Sequence, residues 1–249
     1  MTARPRVDVW TADLDSVPAA AERVLSADEL ARAQRLRRPD DRHRALARWT
    51  LLRQLLSSYS GVPAPLLPLA KAPGGKPGLA RGPHFSVSHR GPLAVYAVSW
   101  DAPLGIDVER RVAVAEADEI VASQFAPDEA RRYAALPPVR RMAAFVDLWV
   151  AKEAYVKGTG EGIGAGLDRF SVTGGRVRRL DGAPDTPWFV RRLWIHGHRA
   201  AVACPGAPAV IVRRRLAQAS QKQQPIAAVC AAPISPARAA GAARSIVPP

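Results

Sequence analysis

Leu104-Gly105-Ile106-Asp107-Val108-Glu109 alternates apolar and acidic residues, the period-two pattern of a β-strand. Side chains two apart on a strand share a face. Ile106 and Val108 are therefore expected in a core, with Asp107 and Glu109 projecting together from the other side. Two neighbouring carboxylates repel unless something positive lies between them. A hard divalent cation taking oxygen ligands is one answer; an edge strand with a solvated acidic face is the other.

A second segment bears on that choice. Val139 to Lys157, with Gly158 behind it, reads as a helix that starts after Pro137-Pro138 and stops at the glycine, the usual punctuation. Phe145, Leu148, Trp149, Tyr155 and Val156 supply an apolar stripe. Glu153 and Lys157 are four apart and share a face; alone they would be a surface ion pair contributing about a few tenths of a kcal/mol.

At 249 residues the chain can bury one core or two small ones. Its 48% hydrophobic and 23% charged residues are those of an ordinary soluble protein. The N-terminal MTARPRVDVWTADL has no apolar stretch long enough for a signal peptide, and no run approaches a membrane span. Cys204 and Cys230 cannot make a disulfide framework. A cytoplasmic protein without membrane contact is expected. The net charge of +14, from 36 Lys and Arg against 22 Asp and Glu, admits nucleic acid or an acidic partner such as a polyphosphate ligand or an acidic protein. No basic stripe with interleaved aromatics supports nucleic acid, and aromatics make up only 6% of the chain.

Residues 5–14 read as a first strand. Ser26-Ala-Asp-Glu29 is a helix start, a serine cap with an acid three places on, and the segment through Arg38 is rich in arginine. A second helix over roughly 41–59 buries Leu46, Trp49, Leu52, Leu55 and Leu56, with Arg44, Arg48 and Arg53 as its basic members. Lys71-Ala-Pro-Gly-Gly-Lys76-Pro-Gly78 is a glycine-rich turn carrying lysines, able to cradle phosphate, although the P-loop spacing is missing. His84-Phe-Ser-Val-Ser88-His89 is a strand running into a turn; without a nucleophile elbow it does not read as a hydrolase, and Ser88 and His89 suit phosphate better. Leu93 to Trp100 is a further strand, expected to pair with 104–109 across Asp101–Pro103. Residues 115–135 are helical, with a new start at Pro127. The glycine run 158–166 follows a helix rather than a strand and is not a dinucleotide fingerprint. Strands are expected at 169–173, 176–180, 188–195, 199–204 and 209–213, and residues 216–249, proline-containing and without an acid, as a disordered tail.

Taken together, G-I-D-V-E at 105–109 and W-x-x-K-E-x-x-x-K at 149–157 resemble the paired signature of the 4′-phosphopantetheinyl transferases, of the Sfp type. The likeness spans roughly 26 to 204 and includes the arginine-rich helices, G-G-K-P and F-S-V-S-H, in family order. It implies an α+β fold of two pseudo-twofold-related halves, here 1–103 and 104–215, with the cofactor in the cleft between them. It also implies transfer of the phosphopantetheine arm of coenzyme A to a serine of an acyl or peptidyl carrier protein, releasing 3′,5′-ADP. The acceptors would serve polyketide, nonribosomal peptide or fatty acid synthesis, and the enzyme would be a monomer.

By position, the resemblance gives Asp107, Glu109 and Glu153 as ligands for Mg²⁺, with Mn²⁺ an alternative, and Glu153 as the base that activates the serine. Lys157 would lie against the pyrophosphate. The G-K-P turn (Gly75, Lys76, Pro77) and the pair Ser88 and His89 would contact the phosphates, with Arg32, Arg44 and Lys71 reaching the 3′-phosphate or the adenine. Two departures stand out: Ser86 where the family commonly has asparagine, and Val150 where it has Ser or Thr. The rival readings are a non-catalytic CoA- or nucleotide-binding module and a basic nucleic-acid-binding protein. Three carboxylates argue against any plain binder of polyanions.

Overall fold

The structure, a computed structural model, describes residues 4–18, 23–72, 74–162, 164, 166–182 and 187–216. Of the expected tail only Leu216 falls within them. The first half runs β1 (Arg6–Asp13), α1 (Ala27–Gln34), α2 (Pro39–Ser60), β2 (Leu69–Lys71), β3 (Pro77–Leu79), β4 (His84–Arg90) and β5 (Leu93–Ser99). The second runs β6 (Gly105–Arg110), α3 (Ala117–Gln124), α4 (Pro127–Ala134), α5 (Pro138–Thr159), β7 (Phe170–Thr173), β8 (Arg176–Arg179), β9 (Trp188–Ile195) and β10 (His198–Pro205). A last strand, β11 (Val210–Arg215), returns to pair in parallel with β1.

The strands form two sheets, β11-β1-β5-β4 and β6-β10-β9-β8-β7, plus the β2-β3 hairpin. Alternation along the strands explains how they stack. Val7 and Val9 of β1 and Val95 and Ala97 of β5 meet Ile106 and Val108 of β6 and Ala200 and Val202 of β10 in a core between the sheets. The opposite face of the first sheet (Trp10, Tyr96, Val98) packs on Leu52, Leu55 and Leu56 of α2. That of the second (Ala201, Ala203) packs on Val150, Ala151 and Ala154 of α5. The order is helix, sheet, sheet, helix. Both faces of β5 and β10 are covered, so each reads as an almost continuous apolar run.

Local rules hold at the helix ends. Ser26 Oγ accepts from Glu29 N (3.3 Å) while Glu29 Oε2 accepts from Ser26 N (2.8 Å), the reciprocal capping box; α1 then closes at Gln34, short of Arg38. Two sequence expectations need correction. β5 does not pair with β6: its edges are taken by β1 and β4, the latter through the tight turn at Gly91, and residues 100–104 carry the chain over to the second sheet. Nor does α5 stop at Gly158. It continues to Thr159 and is capped by Gly160 at φ 79, while Gly158 is the point where the helix touches β6. A Cβ on Gly105 would stand 2.4 Å from Gly158 N.

Asp128, in the first turn of α4, ties that helix to β7. Its Oδ2 accepts from Ser171 Oγ (2.7 Å) and Arg132 Nη1 (2.8 Å). Burial works to raise the carboxyl, but the Ser171 hydroxyl and then Arg132 bring it down to about 2. A carboxyl depressed in the folded state stabilises above its unfolded value, and that stability disappears as pH falls through the folded one. Asp128→Asn should thus be less stable by about 1 kcal/mol at pH 7, the gap closing between about pH 4 and about pH 2. Denaturant melts across that range test it: a gap of equal size at both ends would mean the charge is not its source.

Candidate active site

The two sheets meet along their edge strands β4 and β6, and side chains make the join. Ser86 Oγ accepts from Ile106 N (3.1 Å), and Ser88 Oγ donates to Asp107 Oδ1 (2.8 Å). Lys157, one turn after Glu153 on α5, brings its Nζ to 2.5 Å from Asp107 Oδ1 and 3.2 Å from Ser88 Oγ. Strand alternation puts Asp107 and Glu109 toward α5, and the glycine contact between Gly105 and Gly158 lets the helix come close enough to reach them. Asp107 and Glu153 are buried and Glu109 half-buried.

The electrostatics are those of crowded acids. Burial pushes the Glu153 carboxyl up; Lys157 opposes this, and the charges of Asp107 and Glu109 add to it. Burial also raises Glu109, against the pull of Arg90, whose Nε lies 3.2 Å from Glu109 Oε2. Asp107 Oδ2 and Glu153 Oε1 are buried oxygens with no hydrogen-bond partner. Among the described residues no group of three or more His, Cys, Asp or Glu stands ready-made to hold a metal, and the Lys157 ammonium lies against Asp107. Even so, two orphaned carboxylate oxygens beside a third carboxylate are the oxygen-rich donor chemistry that Mg²⁺ takes. The donors fit the ion.

One cavity adjoins this cluster, and a second, larger one shares Gly75 and Pro77 with it. The smaller, about 260 Å³, is bounded by Lys76, Phe85, Ser86, Glu153 and Lys157. The larger, about 1000 Å³, is walled by Arg32, Arg48, Trp49 and Lys71. There the guanidinium groups of Arg32 and Arg48 both lie over the Trp49 ring, 5.6 and 5.9 Å from its centre, and each has a buried Nε without a partner. Two guanidinium groups on the wall of one cavity suit an anionic ligand.

Several expected residues lie elsewhere or do more than expected. Arg44 is not in the cleft wall: it grips Asp15 with two hydrogen bonds of 2.6 and 2.8 Å. Arg48, one turn later and expected only as a basic member of that helix, takes the cleft position. Its Nη1 donates to His89 Nδ1 at 2.7 Å. Loss of hydration, then the charges of Arg48 and Lys157, keep the His89 imidazole below its usual range, so toward a phosphate it would act as a hydrogen-bonding group rather than a cation. Lys76 is inserted between the halves, donating to Leu104 O and Gly158 O, each at 2.9 Å; burial lowers its ammonium to about 8. The β2–β3 hairpin that carries it is thereby fastened to the end of α5. No helix among the described residues is long and apolar enough to cross a membrane.

Comparison with known proteins gives the family. Residues 103–204 match the model of the 4′-phosphopantetheinyl transferase superfamily, and residues 9–101 that of the 4′-phosphopantetheinyl transferase N-terminal region. A Synechocystis protein with a provisional 4′-phosphopantetheinyl transferase name is 32% identical over 171 residues, 66% of this chain and 69% of its own. The 4′-phosphopantetheinyl transferase HetI of Nostoc is 33% identical over 174 residues, 67% and 73% of the two chains. The 4′-phosphopantetheinyl transferase Sfp of Bacillus subtilis is 28% identical over 150 residues, 59% and 66% of the two.

Proposed function

This chain belongs to the 4′-phosphopantetheinyl transferase superfamily, among its Sfp-like members, and on that premise we propose that it moves the phosphopantetheine arm of coenzyme A onto a serine of a carrier protein. The observation that carries the reading is the meeting of Asp107, Ser88, Lys157 and buried Glu153, with Glu153 and Lys157 lining a cavity that shares Gly75 and Pro77 with a larger one lined by Arg32, Arg48 and Lys71. Coenzyme A carries a pyrophosphate and a 3′-monophosphate, and cations from three separate segments answer that charge.

The carrier serine Oγ attacks the β-phosphorus. One O–P bond forms as the bridging P–O bond of the pyrophosphate breaks, and 3′,5′-ADP leaves with the bridging oxygen. The serine proton passes to Glu153, directly or through water, the carboxylate acting as general base. Lys157 places a positive charge against the phosphoryl group in a half-dry cleft. Ser88 and His89 hold phosphate oxygens, and Arg32, Arg48 and Lys71 take the 3′-phosphate end. Asp107, Glu109 and Glu153 would hold Mg²⁺, or Mn²⁺, which when bound offsets charge on the pyrophosphate and its leaving group.

The acceptors would be acidic carrier proteins of polyketide, nonribosomal peptide or fatty acid synthesis, met in the cytoplasm by a monomeric enzyme. Its net charge of +14 would speed that encounter and make it sensitive to salt. The expected result with apo carrier protein, CoA and Mg²⁺ is a carrier heavier by about 340 Da, one phosphopantetheine, and no gain with the ion chelated. An unchanged carrier mass across representatives of all three synthase types, with CoA and Mg²⁺ present, would refute the reading.

A further inference from the structure

Solvent does not reach the ion pair between Lys152 and Glu129: both side chains are 0% exposed, with Nζ 2.5 Å from Oε2. Neither residue belongs to the cluster around Asp107. Lys152 Nζ also donates to Phe170 O at 2.7 Å and lies over the rings of Phe170 and Phe125, 4.2 and 5.2 Å from their centres. Glu129 accepts from Ala126 N (3.2 Å) through Oε2 and from Val172 N (2.6 Å) through Oε1. One carboxylate thus gathers the start of α4, strand β7 and the middle of α5.

Stability alone does not account for such a pair, because well-packed apolar residues often replace a buried ion pair without loss. Direction does. The aliphatic contacts of α5 with the second sheet fix how far away the helix lies, but apolar burial is non-directional and resists rotation weakly. An ion pair with three further hydrogen bonds has one geometry. Successive helix residues point about 100° apart, so holding Lys152 against Glu129 on the inner side sets where Glu153, the next residue, points. Lys157, one turn on, follows. We infer that Lys152 and Glu129 are positioning residues: their pair fixes the rotation of α5 about its own axis and so aims Glu153 and Lys157 at Asp107 and Ser88. The inference rests on the roles given to Glu153 and Lys157 above.

The test uses the full chain, saturating apo carrier, CoA varied from below KM to saturation, and two double variants, Lys152→Met with Glu129→Leu and Lys152→Met with Glu129→Gln. At least one should melt cooperatively within a few degrees of the parent. In that variant kcat should fall by about ten- to a hundredfold, the cost of small misplacement at a reacting centre, while KM for CoA stays within about twofold. Parent-like kcat in a folded double variant would overturn the inference. So would kcat and KM shifting together, or loss of the cooperative melt in both variants, since the pair would then be holding the fold rather than aiming the helix. A parent chain without transfer would overturn the underlying reading, and the inference with it.

Discussion

Asp107→Ala should yield a folded protein whose transfer rate has dropped by about a thousandfold or more. The carboxylate is the meeting point of both halves of the site. Its Oδ1 receives the Ser88 hydroxyl and the Lys157 ammonium, and its Oδ2 is a buried, unpartnered oxygen of the kind a divalent cation needs. Alanine removes one proposed ion ligand and releases Lys157 from its position in a single change. The cost to the fold is smaller. Two donors lose an acceptor, at about 1–3 kcal/mol, and Lys157, 33% exposed, can turn to water. Initial rates from carrier mass, read beside a thermal melt, separate the two effects. Mg²⁺-dependent turnover surviving in the variant would remove Asp107 from the metal set, and with it the proposed arrangement of three acids.

How far the sequence reaches can be judged at individual residues. Ile106 and Asp107 face opposite ways because a strand allows nothing else, so one alternating hexapeptide located both a core and a candidate site. The capping box at Ser26 and the apolar run of β5 were readable for the same reason: the rule acts within a few residues. Pairing is different. Whether β5 joins β6 depends on competition for its edges, and β1, some eighty positions earlier, won one of them. Gly158 looked like a helix stop because glycine usually is one; its actual use is steric, toward Gly105, about fifty residues earlier.

The same limit explains the site. The paired acidic motifs are short and ordered, so they were legible. Arg44 and Arg48 are one turn apart on one helix, and only the position of Asp15, which captures Arg44, decides which of them faces the cavity. Trp49, directly after Arg48, was a signal that could have favoured Arg48. Ser86 offered none: its acceptance of Ile106 N is a contact between sheet edges that pattern does not encode. Lys152, read as a letter of a motif, gave no hint that it is fully buried.

Gly105→Ala should be a severely damaging single-methyl change. The new Cβ would lie 2.0 Å from Ala154 O and 2.4 Å from Gly158 N, both backbone atoms of α5 that cannot rotate aside. Relief requires the helix to back away from β6, and overpacking of that kind costs about 3 kcal/mol or more when the obstacle is main chain. Activity should fall further than stability does. The separation opens between Asp107, two residues along the strand, and Glu153 and Lys157 on the retreating helix, where a shift of about 1 Å is worth about a hundredfold in rate. Gly78→Ala is the control for stability, for nothing lies within 4 Å of its added methyl, and it should melt like the parent. Near-parental melting and rate in the Gly105 variant would mean that α5 stands farther from β6 than this contact requires, and the argument that glycines let the acids converge would fail at its first step.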